Sequence, residues 1–317
     1  MATKLVTVFG GSGFIGRHLV QRLAQQGWLI RVAVRRPSRA QFLKPLGDVG
    51  QITPIAAALQ DPDSLRAAVK GAQAVVNLVG LLYEKGAQSF SAVHVEGAKQ
   101  IALFAAAAGA RDLVQMSAIG ADPQAEADYA RSKGYGELAA RQVFPEAVIV
   151  RPSIVFGPED GFFNRFAGMA RFTLALPLIG GGHTRFQPVY VGDVAEAMAT
   201  ALAEPACRGK TYELGGPAVY SFKALMEIML AQIGRRRLLL PLPFEIAEWQ
   251  GGLLERLPVP PLTRDQVRML RNDNVVAEGA LGLADLGIQP SALESVLPSY
   301  LDRYRVGGRF NTEVRAV

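Results

Sequence analysis

Apolar positions in the first half of the chain alternate between two periods. Short β-rich runs occupy Leu5–Phe9, Leu29–Val34, Gln51–Ala56, Ala74–Val79, Leu113–Ser117 and Val148–Arg151. Between them apolar residues recur at three- and four-residue spacing, which predicts helices near Phe14–Gln26, Asp63–Val69, Ser89–Ala108 and Tyr129–Val143. This alternation of strands and helices predicts an α/β fold, a doubly wound parallel sheet with helices on both faces. Past Arg151-Pro152 the rhythm breaks into segments punctuated by Gly180-Gly181-Gly182, Pro241-Leu242-Pro243 and Pro258-Val259-Pro260-Pro261. The expected organisation is a dinucleotide-binding domain over 1–151 and a smaller lobe over 152–317 for substrate or partner docking, with some later segments returning to the main sheet. No internal repeat is visible.

The first strand-to-helix junction carries Gly10-Gly11-Ser12-Gly13-Phe14-Ile15-Gly16. Gly10 permits a tight turn, Gly13 lets backbone approach a pyrophosphate, and Gly16 lets the helix pack closely on the strand. Phosphate oxygens then meet the free N–H groups and positive dipole end of that helix. The pattern predicts a Rossmann-type dinucleotide site lined by Gly10, Ser12, Gly13, Phe14, Ile15 and Gly16, to which Leu59, Leu78, Val79 and Gly80 are added as cofactor contacts. Arg35 lies nineteen positions past Gly16, where such folds usually place an acid on the ribose 2′-hydroxyl. Arg35 and Arg36 instead suit a 2′-phosphate through charge-assisted bonds, so NADP(H) is favoured over NAD(H). The plainer alternative is that both face solvent at a strand end. Asp61-Pro62 reads as a helix N-cap followed by proline at the first helical position.

Tyr129-Ala130-Arg131-Ser132-Lys133 sets a tyrosine and a lysine one helical turn apart on a single face. A free tyrosine has a pKa near 10 and is a poor base at neutral pH. A neighbouring ammonium is expected to lower that value, and the lysine also suits the nicotinamide ribose. Ser117, at the end of the fifth strand, is a candidate to bond a substrate carbonyl. The candidate catalytic set is therefore Tyr129, Lys133 and Ser117, with Tyr129 and Lys133 also touching the cofactor.

At 317 residues and half apolar, the chain buries a sizeable core as one large or two unequal domains. Cys207 is the only cysteine, which excludes an internal disulfide framework and fits a reducing compartment. The first strand starts so early that no signal or transit peptide is expected. No apolar run reaches the roughly 18–20 residues of a bilayer span; Ile101–Ala108 reads as a buried helix. A formal charge of +6 suits phosphates, anionic lipid or an acidic partner without choosing among them. No basic–aromatic interleaving points to nucleic acid. His18, His94 and His183 are dispersed without ligand spacing, so no metal is expected. Arg235-Arg236-Arg237-Leu238-Leu239-Leu240, followed by Phe244 and Trp249, joins cations to an apolar run. It suits docking on an anionic membrane or a partner, or a basic loop entering a buried strand.

Gly10–Gly16, Tyr129–Lys133 and Arg151-Pro152-Ser153-Ile154-Val155-Phe156-Gly157-Pro158 resemble an extended short-chain dehydrogenase/reductase. More narrowly, the chain resembles the atypical subgroup that includes the nucleotide-binding accessory subunit of respiratory complex I. Phe156–Asp160 with Phe162-Phe163-Asn164, Phe186–Val191, Pro261–Val267 and the closing Leu286-Gly287-Ile288 with Tyr300-Leu301 carry this narrower likeness. Two departures stand out. Active extended reductases carry a second hydroxyl residue after the strand-end serine, where this chain has Ala118, and an asparagine that organises a proton-relay water, whose place His94 takes. The resemblance implies an NADP(H)-holding accessory or assembly subunit of NADH:quinone oxidoreductase, with complex I subunits as partners. It also implies a cytoplasmic location, with peripheral contact at the cytoplasmic face of the inner membrane through Arg235–Trp249. The alternative is a free NADPH-dependent reductase acting through Tyr129 and Lys133 on a quinone-like or isoprenoid substrate, its relay rebuilt around His94.

Overall fold

In the computed structural model, which describes residues 4–308, β1 (Leu5–Phe9) turns into α1 (Phe14–Gln25). The alternation continues through β2 (Leu29–Val34), β3 (Ile52–Ala56), α2 (Pro62–Val69), β4 (Ala74–Asn77), α3 (Gly97–Ala107), β5 (Asp112–Met116), α4 (Asp128–Val143) and β6 (Val148–Pro152). The chain then forms β7 (Val155–Phe156), α5 (Phe163–Ala170), β8 (Ala175–Ile179), β9 (Arg185–Phe186) and β10 (Val189–Tyr190). It returns through α6 (Val191–Ala203) to β11 (Thr211–Leu214). The main sheet has seven strands in the order β11-β6-β5-β4-β1-β2-β3, all parallel. Read from β3, the order runs outward to β1 and then reverses direction at β4. That is the doubly wound arrangement, with its topological switch point between β1 and β4.

Two compact units result. The first comprises Met1–Pro152, Val191–Leu214 and Ala277–Gln289, and the second Ser153–Tyr190, Gly215–Val276 and Pro290–Val317, of which only the residues up to 308 are described. Later segments thus return to the first unit, α6, β11 and Ala277–Gln289 among them, and β11 joins the main sheet. The seventh strand was not legible in the sequence because Thr211–Leu214 is short and isolated among glycines and prolines.

Local sequence explains the first unit's elements. On α1, Leu19, Val20 and Leu23 are fully buried, each worth about 1.5–3 kcal/mol by area. Asp61 caps α2 by accepting the Ser64 N–H at 3.2 Å, with Pro62 in the first turn, as the sequence predicts. The helix expected over Ser89–Ala108 is interrupted by a π-helical turn at Ser91–Glu96 before α3 begins. Such turns are rare and insert one extra residue, changing which side chains share a face.

The second unit adds β12 (Tyr220–Ser221), α7 (Phe222–Gln232), β13 (Leu238–Leu242), α8 (Phe244–Leu254) and α9 (Arg264–Met269). Its core gathers Phe156, Phe163, Leu176, Phe222, Met226 and Met229. Thr263 and Gln266 form a reciprocal capping box at the start of α9. β13 pairs in parallel with β8, yet Leu238 is 66% and Leu240 52% exposed. A basic loop entering a buried strand is thus not what forms there.

Candidate functional site

The glycine turn lies at the switch point. Gly10 has φ +76°, and a Cβ there would sit 3.2–3.3 Å from the backbone of Leu78 and Val79. Gly10 therefore provides both a left-handed turn and the close approach of β1 to the end of β4. At Gly16 a Cβ would fall 2.6 Å from Gly10 O and from Gly11 C, so only glycine lets α1 start against the turn. Gly13 caps α1 in extended conformation without a side-chain cap, and no acidic residue lies in the first turn. The N–H groups at Phe14, Ile15 and Gly16 have no carbonyl one turn earlier to bond. An anion placed there meets open donors and the positive end of a twelve-residue helix.

At the end of β2, Arg35 and Arg36 are exposed, as is Arg39 in the following 3-10 segment Pro37–Leu46. Arg17 on α1 reaches the same segment, its guanidinium 5.1 Å from the Phe42 ring centre. Arg17 and Arg39 were not singled out from sequence, because neither falls at the fingerprint spacing. Leu59 turns toward α3, where a Cβ on Gly97 would lie 2.7 Å from its Cδ1. That packing occupies one side of the leucine expected to touch cofactor.

The β4 end is organised by Asn77 and Gln115, which no sequence motif marks, and by His94. Asn77 bonds Gln115 on β5 at 2.8 Å and accepts the Val79 N–H at 3.0 Å. His94, from the π-helical turn, accepts the Leu81 N–H on Nε2 at 2.9 Å and meets Ser132 Oγ through Nδ1 at 2.9 Å. Gly80 lies between these groups: a Cβ there would be 3.3 Å from Lys133 Nζ and 3.6 Å from His94 Nε2. Tyr129, Lys133, Gly80 and His94 are thus brought together, while Arg35 and Arg36 stand at the β2 end of the same unit.

Tyr129 and Lys133 face one another along α4, with Nζ 5.7 Å from the phenol ring centre. Lys133 is 6% exposed and reaches Met116 O at 3.4 Å. The expected lowering of the tyrosine pKa does not hold. Burial pushes Tyr129 up to about 12 and pulls Lys133 down to about 8, with Glu137 one turn further restoring part of its charge. Desolvation outweighs the ammonium because both groups share a site of low polarity. Some of the Tyr129 surface still meets solvent, which tempers the effect on the phenol. His94, which keeps only 3% of its surface, is held down to about 3, first by burial and then by Lys133.

Ser117 also departs from expectation. Its Oγ donates to Glu137 Oε1 at 2.5 Å, and Arg151 grips both oxygens of that carboxylate at 2.8 and 2.6 Å. Arg151 further reaches Glu213 on β11 at 3.4 Å. The hydroxyl proton is committed to a buried carboxylate, so it is not held out for a substrate carbonyl. Among the described residues, no cluster of His, Cys, Asp or Glu suits a metal ion.

A parallel sheet that reverses direction beside a glycine turn, with a tyrosine–lysine helix at the neighbouring strand end, defines a dinucleotide-binding α/β protein. The NAD dependent epimerase/dehydratase family model matches residues 6–215, and the chain belongs to that family. It is 37% identical, over 96% of its own length and 79% of the relative's, to subunit 9 of the mitochondrial NADH dehydrogenase (ubiquinone) 1 alpha subcomplex of Arabidopsis thaliana. The Mus musculus counterpart is 35% identical over 98% of this chain and 83% of its own. A ceramide reductase of Caulobacter vibrioides is 33% identical over 64% of this chain and 62% of its own. Among solved structures, the dTDP-glucose 4,6-dehydratase DesIV of Streptomyces venezuelae, with NAD and TYD bound, superposes with a TM-score of 0.71. The match covers 95% of this chain and 96% of that one at 19% identity, and carries the fold alone.

Proposed function

We propose that this protein is an accessory or assembly subunit of an NADH:quinone oxidoreductase, holding NADP(H) as a structural ligand in its first unit. The observation that carries this reading is the likeness to subunit 9 of the mitochondrial enzyme along nearly the whole chain. In it, Gly10, Ser12, Gly13, Phe14, Ile15 and Gly16 receive the pyrophosphate. Arg35 and Arg36 receive the 2′-phosphate, and Leu59, Leu78, Val79, Gly80, Tyr129 and Lys133 line the remainder. The engagement of Ser117 by Glu137 supports holding over turnover. Peripheral contact with the cytoplasmic face of the inner membrane is assigned to the Arg235–Trp249 stretch. There Arg236 is exposed, and Ile246 (47%) and Trp249 (68%) project from α8. No helix among the described residues is long and apolar enough to cross a membrane.

The second reading, a free NADPH-dependent reductase, is favoured by the retained Tyr129–Lys133 pair. Mild detergent extraction of native membranes followed by native size separation distinguishes the two. The accessory role requires co-migration with NADH dehydrogenase activity at large size. Migration as a small species on its own would transfer the assignment to the reductase.

A further inference from the structure

His94 stands in the π-helical turn Ser91–Glu96, and its two ring nitrogens have distinct partners. Nε2 faces a backbone N–H, that of Leu81, and so must be the acceptor. The ring proton of the neutral imidazole then sits on Nδ1 and is donated to Ser132 Oγ. The hydroxyl passes its own proton to the Tyr129 carbonyl at 2.8 Å. Every polar position of the ring is thereby assigned, and none is directed to the Tyr129 phenol. The ring is clamped as well, stacked on Phe90 at 5.3 Å and edge-on to Tyr129 at 5.4 Å. Gly136 allows α4 to approach this closely, since a Cβ there would fall 2.2 Å from His94 O.

We propose that His94 is a positioning residue that fixes the Leu78–Leu81 corner against Lys133, and that it takes no part in a proton relay to Tyr129. The functional half of this inference rests on the proposal that a nucleotide occupies that corner. Through the Leu81 amide, His94 sets where Gly80 stands, and Gly80 is the residue beside Lys133 Nζ. A protonated His94 would lose its acceptor and place a second cation next to Lys133.

Two amide substitutions separate the halves of the clamp. His94→Gln brings an amide oxygen to the Nε2 position and keeps an acceptor for Leu81. His94→Asn brings an amide nitrogen to the Nδ1 position, keeps the donor for Ser132 and leaves Leu81 unpaired. In hydrogen exchange, the Leu81 amide should exchange at least about tenfold faster in His94→Asn and within about threefold of wild type in His94→Gln. NADPH affinity should follow the same order, weakened roughly tenfold in the asparagine variant alone. In ring-nitrogen NMR of the unsubstituted protein, His94 should be the Nδ1–H tautomer with no titration between about pH 5 and 8. An Nε2–H tautomer, titration in that range, or unchanged Leu81 exchange in His94→Asn would overturn the proposal. The NMR result decides the matter if the asparagine variant fails to fold. Absence of NADPH binding by the wild-type chain would instead refute the nucleotide reading, while Leu81 exchange would still test the clamp.

Discussion

The two ends of the first unit treat polarity in opposite ways. Around Gly13–Gly16, backbone N–H groups are left open by helix geometry, and nearby arginines are exposed. Around Tyr129 and Lys133, side-chain groups are already engaged within the protein: Ser117 on Glu137, and His94 on Leu81 and Ser132. The open end suits recognition of an anion that arrives from outside. The saturated end resists rearrangement, and burial disfavours the phenolate of Tyr129 and loosens the hold of Lys133 on its proton. A site built this way is suited to hold a dinucleotide in one pose, as the proposed accessory role requires.

The contrast is broken most severely at Gly16. Gly16→Val forces side-chain atoms into the Gly10–Gly11 backbone. It should weaken NADPH binding at least about a hundredfold and destabilise the unit by about 1–3 kcal/mol, read by titration and thermal melting. The saturated end should respond in stability first. Glu137→Ala leaves Arg151 and Ser117 without their shared carboxylate. Loss of a buried ion-pair partner costs about 3–5 kcal/mol, and partial exposure of Arg151 places this one at the lower end. Urea unfolding checks it.

Acidification probes the same end. His94 has a folded pKa of about 3 against an ordinary value of 6.5, so the unfolded chain binds the extra proton between those limits. Stability is fully present above about pH 6.5 and falls as pH drops toward 3, by up to about 1.4 kcal/mol per pH unit. His94→Gln cannot titrate, and its acid limb should be shallower than that of wild type. At the open end, Arg35→Asp should weaken NADPH about tenfold or more and NADH less than about threefold. Equal losses would remove the 2′-phosphate assignment. The smallest effect is expected at Tyr129→Phe, with NADPH affinity within about threefold of wild type and assembly intact. Loss of a measurable turnover in that variant would favour the reductase.

These differences also mark what the sequence could convey. The glycine turn, the alternation of strands and helices, and the Asp61 cap are local features, and six strands of the main sheet follow from them. Tyr129 and Lys133 were legible because one helical turn places them together. Ser117 and Glu137 lie twenty residues apart and meet only after β5 and α4 pack, so no spacing rule announces their bond. The rise in the Tyr129 pKa has the same origin. Proximity to Lys133 is a local fact, whereas the burial that outweighs it is a property of the assembled unit. β11 reaches β6 only after a long excursion through the second unit.

The most direct measurement is to capture this chain from native membranes together with whatever it is bound to, denature the material, and identify and count the nucleotide released. A structural NADP(H) predicts about one molecule per copy of the chain, lost in Gly16→Val and retained in Tyr129→Phe. Release of no NADP(H), or of NAD(H) in its place, would contradict it.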